Sequence, residues 1–306
     1  KTHELFHALK SKESRDNDDI EGFGYRADDQ SAINKDTLSG IPSGKTQTVS
    51  FKLLSGIFNQ PKYLPLRYMG GGITIELELV NSPTDAVVDP DGTTFLAADT
   101  STEWQIENPM VKADVCTLDN GLENSYAEHL LSGKNLPLNY NTFITSTQAV
   151  SGKSLRVNVS RAVSRLRSIF VTFYKESPSD LALTEFNKFY HPMGAGSFND
   201  DKELEVQVQI GSKLFPEYPI RSIAESFSQL RKSVGAHAST HSVSITPTQY
   251  RSTKHIIGID TEMIPELGFS GLNLKDGQQM NIKINPTNSA GITDQEMPTQ
   301  MTMYLN

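Results

Sequence analysis

The stretch Glu203–Gly235, ELEVQVQIGSKLFPEYPIRSIAESFSQLRKSVG, decides how the rest of the chain is read, because it joins the clearest strand pattern to the best-capped helix pattern. Leu204, Val206, Val208 and Ile210 alternate with Glu203, Glu205, Gln207 and Gln209. Successive side chains on a pleated backbone point to opposite faces, so this spacing predicts a strand with one apolar and one wet side. Gly211 ends the pattern, and Pro216 and Pro219 hold the connection around Tyr218 extended, since each ring fixes φ and disfavours helix in the residue before it. A helix is predicted from Ser222 to Val234: Ser222 and Glu225 form a capping-box pair, Ile223, Phe227, Leu230 and Val234 share one face, and Arg231 and Lys232 precede Gly235. No side chain here is a nucleophile with a base at a supporting spacing, so the unit reads as scaffold.

Working outward, the 306 residues are enough for two domains, and 37% hydrophobic with 21% charged content describes a folded chain with substantial cores. A formal charge of -8 argues against a protein whose task is gripping nucleic acid, because phosphate binding is built on clustered Lys and Arg. Cys116 is the only cysteine, which excludes an intramolecular disulfide and a multi-cysteine zinc site. No apolar run approaches the roughly 20 residues that span a bilayer, so no membrane span is expected.

Upstream of the organising stretch the pattern is mostly that of short strands. Thr2 and the apolar Leu5, Phe6 and Leu9 suggest a short first helix, and Glu13 to Ser43 read as a long polar loop with a solvated acidic cluster. Val49, Phe51 and Leu53 then alternate, PKYLPLRY follows between prolines, and Ile73, Ile75, Leu77 and Leu79 alternate with Thr74, Glu76 and Glu78. Gly70, Gly71 and Gly72 mark a bulge or sharp bend. A turn-rich stretch from Asn81 to Thr100 leads to Trp104, an expected packing anchor, and to the alternation Val111, Ala113, Val115, beside which Cys116 is expected as a buried thiol. Gly121 to Gly133 reads as a helix with Tyr126, Leu130 and Leu131 inward and His129 on the surface. A second strand series starts in LPLNYNTFIT at Leu136 and continues through SLRVNVS and the apolar LRSIFVTFYK, a central strand by its Ile169, Phe170, Val171 and Phe173. Pro178 to Phe189 looks helical, and HIIGIDTEM, MNIKIN and PTQMTMYLN close the chain as strands. Short strands without βαβ alternation predict an all-β protein of antiparallel sandwiches with a few short helices.

Residues that could carry chemistry are few. PSGKT at Pro42 to Thr46 ends like a phosphate loop, but Ser39 stands where the earlier glycine is required. His191, His237 and His241 are the candidate metal ligands; the i,i+4 pair lacks an acidic partner, so no metal and no other cofactor is expected. Asn158-Val159-Ser160 matches a glycosylation acceptor set in a strand. Arg156, Arg161, Arg165 and Arg167 make the most basic region, and arginines spread over strands serve interface ion pairs more often than nucleic acid.

SGIFNQPKYLPLRYMGGGITIELELV, the WQIENP segment and the organising stretch together resemble the double jelly-roll major capsid proteins of Polinton-like viruses, virophages and related eukaryotic DNA viruses. The resemblance runs from about Lys45 onward and rests on the order of strands. It implies two eight-stranded jelly rolls side by side, three copies forming a pseudo-hexameric capsomer that tiles an icosahedral shell, and no catalytic residues. Too few strands precede Trp104 for a complete first roll, so residues 1–130 are expected to hold its later part with a connecting segment, and 131–306 the second roll. The implied partners are further copies of the chain, neighbouring capsomers, and penton and minor capsid proteins, within a virion assembled in the host cytoplasm or nucleus. Arg156, Arg161 and Arg165 are the expected interface residues. The rival reading, a β-sandwich carbohydrate-binding or accessory module, would display several exposed aromatics for sugar stacking; an enzyme would need converging carboxylates that the spacing does not supply.

Overall fold

The computed structural model describes residues 9–10, 44–46, 48–79, 103–174, 189–192, 203–235, 243, 245–262, 270–275, 279–286 and 298–306. Eight strands are formed among them: β1 (Ile144–Ala149), β2 (Leu155–Val159), β3 (Ser168–Tyr174), β4 (Leu204–Ile210), β5 (Lys213–Ile220), β6 (Ile256–Asp260), β7 (Met280–Pro286) and β8 (Gln300–Leu305). They make two four-stranded antiparallel sheets, ordered β1-β8-β3-β6 and β2-β7-β4-β5. The first strand pairs with the eighth, the second with the seventh, the third with the sixth and the fourth with the fifth. Apart from the tight β4–β5 turn at Gly211, every connection crosses from one sheet to the other.

The two sheets differ in the faces they bury, and the sequence patterns differ accordingly. In β4 the burial alternates along LEVQVQI, in β2 along LRVNV and in β7 along MNIKINP, because their second face meets water. In β3 all seven residues are buried. Ile169, Val171 and Phe173 point into the layer between the sheets, packed with Leu204, Val206, Val208, Ile210, Ile257, Ile282, Ile284 and Met303. Phe170 and Tyr174 point the other way, into a second apolar layer with Ile256, Tyr304, Phe189, Ile223, Leu230 and Tyr250. As the run of apolar residues predicts, β3 is an interior strand of its sheet.

Two helices cover that second face. α1 (Gly56–Asn59) and α2 (Asn120–Leu131) precede the sandwich; α3 (Ile223–Ser233) and α4 (Pro247–Ser252) fall between β5 and β6. α3 starts where the capping signal puts it: Ser222 Oγ accepts from Glu225 N at 3.1 Å, and Glu225 Oε2 accepts from Arg221 N at 3.0 Å. Gly235, at φ 72°, follows its end. Leu230 is fully buried, Phe227 half-buried, and the helix lies on β6. Its close approach depends on Gly258, where an added Cβ would stand 2.9 Å from Leu230 Cα and 2.2 Å from Ser233 Oγ. α4 has a complete capping box, Thr246 Oγ1 accepting from Gln249 N and Gln249 Oε1 accepting from Thr246 N, with Pro247 in its first turn.

Several expectations are corrected. The Pro216–Pro219 connection is a ladder strand, β5, at the edge of its sheet, with a register shift between Val206 and Val208; edge position and bulge are what allow proline in a strand. The strand expected from Leu136 begins only at Ile144. Among the described residues no strand precedes Ile144: Val49–Leu53, Ile73–Leu79 and the segment after Trp104 belong to no strand. Alternation supplies an apolar side, but a strand also needs a neighbour for its N–H and C=O groups, and Leu77 and Val115 stay 62% and 80% exposed. Gly70–Gly72 do form a turn, Gly72 N donating to Met69 O at 3.0 Å. α2 is capped by Asp119, whose Oδ1 accepts from Leu122 N at 2.8 Å, and half-buries Tyr126 and Leu130, while Leu131 faces outward at 87% exposure. The first helix apart from Leu9 and Lys10, the loops Glu13 to Ser43 and Asn81 to Thr100, and the helix from Pro178 up to Lys188 lie outside the described residues.

Gly258→Ala is expected to lower stability by about 1–3 kcal/mol through overpacking, and Leu230→Ala by about 2–5 kcal/mol. Urea unfolding of the full chain measures both, and a neutral Gly258→Ala would mean that the helix does not rest on β6 as described.

Candidate functional surfaces

The three arginines singled out from sequence are all exposed. Arg156 is on the wet face of β2, directly across the ladder from Lys283 of β7; Arg161 and Arg165 lie in the β2–β3 connection. Arg167, in contrast, turns inward and pairs with the half-buried Glu262. On the same wet face Asn281 Nδ2 donates to Asn158 Oδ1 at 2.6 Å and Lys283 Nζ to Gln209 Oε1 at 2.9 Å. Asn158 therefore sits in a strand, as expected, with its amide oxygen already engaged.

A second surface comes from the segments before the sandwich. Phe51, Leu77, Leu79, Ile106, Met110, Val111 and Val115 are each more than half exposed. Local contacts hold parts of this region in place: Arg67 pairs with Glu123 of α2, and the Tyr68 and Tyr126 rings lie 6.3 Å apart. Trp104 is half-buried. Cys116 is exposed, against the expectation of a buried thiol, because the alternation that carries it has no sheet to pack against. Its thiol is bonded to the Tyr63 hydroxyl, and that contact raises the phenol above its usual range.

Of the three candidate ligand histidines, His191 alone lies among the described residues. His191 is buried, but its ring neighbour is His255, 4.5 Å away between centroids, while His237 and His241 lie outside the described residues. Among the described residues no group of three His, Cys, Asp or Glu side chains is close enough to hold a metal ion. His255 escaped the sequence reading because a lone histidine before an apolar run has no local signature of burial. Around it lies a polar chain inside the second apolar layer: Tyr250 Oη donates to Ile256 O at 3.0 Å and accepts from Ser226 Oγ at 2.9 Å. Burial drives the Tyr250 phenol far above its ordinary range, the Ser226 bond offsetting this in part, and burial also raises Tyr304, which shares a 3.0 Å hydroxyl contact with Tyr174.

An open groove of about 430 Å³ runs beside the end of α3, lined by Leu9, Phe143, Phe170, Val234 and the charged pairs Arg167–Glu262 and Lys232–Asp260, the latter 3.8 Å apart. The two pairs are neutral as pairs, Lys10 adds a further cation, and the remaining lining mixes apolar side chains with Ser168, Ser233 and Asn306. No helix among the described residues is long and apolar enough to cross a membrane. Comparison with family models, with curated proteins and with solved structures finds no match for the chain.

Tyr250→Phe leaves Ser226 Oγ and the Ile256 carbonyl without their buried partner, so a loss of about 1–3 kcal/mol is expected. A double-mutant cycle with Ser226→Ala checks it, since the Tyr250–Ser226 bond predicts a coupling that independent packing does not.

Proposed function

We propose that the chain is a structural capsid protein of the double jelly-roll kind, working by self-association into trimers that build a shell. The observation that carries this reading is the nested pairing of β1 with β8, β2 with β7, β3 with β6 and β4 with β5. Four antiparallel pairs folded round a common core are the winding of an eight-stranded jelly roll, an architecture used by capsid domains and also by lectins and cupins. The choice among these rests on the resemblance described above and on the exposed apolar segments that precede the sandwich. In this reading residues 1–130 hold the later part of a first roll and a connecting segment, and 131–306 the second roll. Leu77, Leu79 and Val115 are the kind of side chains that a subunit contact would cover. Arg156, Arg161 and Arg165 contribute polar contacts at the boundary between copies, where exposed arginine is favoured over lysine for its planar, multiply donating head group.

Multi-angle light scattering on the purified chain tests the proposal: the expected particle has three times the 33.8 kDa mass of one chain. Contacts of this kind bury more than the roughly 1,600 Å² of a standard interface, so the trimer should persist on dilution. A strict monomer at high concentration rejects the proposal, and a monomer that also binds a glycan array supports the carbohydrate-binding module instead.

A further inference from the structure

The two buried histidine rings sit where four elements meet. Residues 189–192 are tied to the end of α4 by Phe189 N donating to Thr253 O at 2.7 Å, His191 N to Ser252 O at 3.3 Å and His255 N to Phe189 O at 2.9 Å. His191 and His255 are 0% and 1% exposed, their rings edge to face. His255 Nδ1 lies 3.2 Å from the Tyr250 carbonyl oxygen. A carbonyl only accepts, so Nδ1 carries the proton and Nε2 holds the lone pair. That Nε2 is buried and has no hydrogen-bond partner. The Tyr250 ring stands 4.9 Å from His255 on one side and 4.9 Å from Phe227 of α3 on the other, and its hydroxyl bonds Ser226 of α3 and the backbone of β6. One imidazole is thus linked, directly or through Tyr250, to α3, α4 and residues 189–192 on the outer face of the β1-β8-β3-β6 sheet.

We propose that His255 is a proton-sensitive latch: uptake of a proton at Nε2 turns the ring into a buried cation whose new N–H has no acceptor, and the layer made by α3, α4 and residues 189–192 opens away from the sheet. Among the described residues, the ionisable groups around it are His191 and Tyr190 from the 189–192 segment, Tyr250, Arg251 and Lys254 from α4 and the turn after it, and Tyr174 and Tyr304 from the sheet; α3 contributes Ser226 and Phe227, which do not titrate. None of these groups is a carboxylate. Burial accordingly lowers the His255 pKa to about 4, with only the Tyr250 carbonyl pulling the other way. A histidine whose folded value lies below its unfolded value of about 6.5 gives full stability above that pH and loses it as pH falls toward the folded value. The equilibrium for opening is then expected to shift about 30-fold between pH 8 and pH 5. The latch is a property of one chain and does not depend on self-association.

The test compares the full chain with His255→Asn, whose side-chain amide keeps the donation to the Tyr250 carbonyl and cannot take up a proton. Urea unfolding and binding of an apolar dye are measured at pH 8 and pH 5. The expected result is that wild type loses about 30-fold more in its folding equilibrium than the variant does, and gains dye fluorescence at pH 5 while the variant does not. An equal pH dependence in both proteins overturns the proposal. Should His255→Asn fail to fold, the His255 ring resonance of wild type decides: a titration midpoint below pH 5 in the folded protein supports the latch, and one near pH 6.5 overturns it.

Discussion

Leu230 of α3 rests on the bare backbone of Gly258, and much of the sandwich's second half follows from that contact. A sheet of an antiparallel sandwich ordinarily buries one face and shows the other to water. Here the helix comes so close to β6 that the outer face of β1-β8-β3-β6 becomes a second interior, and Phe170, Tyr174, Ile256 and Tyr304 fill it. Two polar pairs enter that interior: Tyr174 with Tyr304, and Tyr250 with Ser226. An unpaired hydroxyl in such surroundings costs more than a paired one returns, so these contacts fix where the helices sit as well as holding them there. His255 Nε2 has no such partner, which is why a proton has leverage there.

What the sequence made legible depended on whether the deciding signal was local. Strand β4 and helix α3 were readable residue by residue because alternation, the Ser222–Glu225 cap and Gly235 are all contained in one stretch. The contrast between the alternating β4 and the continuous apolar β3 also came through, since burial on two faces leaves no room for polar alternation. Strand β5 did not: Pro216 and Pro219 are breakers by local rules, and only their place at a sheet edge makes them admissible. Helix α4 carried a readable signal in Thr246, Pro247 and Gln249 that its length of six residues made easy to overlook. The apolar alternation of Ile73–Leu79 was read as a strand on pattern alone, although pairing is a property of two segments and not of one.

The same distinction governs the candidate surfaces. The alternation of its neighbours predicts Cys116 inside, and it is exposed, since among the described residues that alternation joins no strand. The arginines were judged by type and clustering, and the structure separates them by direction: Arg167 neutralises Glu262 within the fold, while Arg156, Arg161 and Arg165 remain on the surface. Sequence spacing cannot make that separation, since all four fall within twelve residues of a strand–loop–strand segment whose facing depends on register.

Register also limits which faces of the sandwich are open to a partner. The outer side of β1-β8-β3-β6 is occupied by α3 and α4, so contacts with another molecule fall to its rims, to the wet face of β2-β7-β4-β5 and to the segments before Ile144. On the wet face the ladder sets Arg156 directly opposite Lys283, two like charges at a distance where cross-strand neighbours repel rather than support each other. Lys283 donates instead to Gln209 of β4. An acidic group brought to that row from outside would relieve the repulsion, whereas a basic one would add to it.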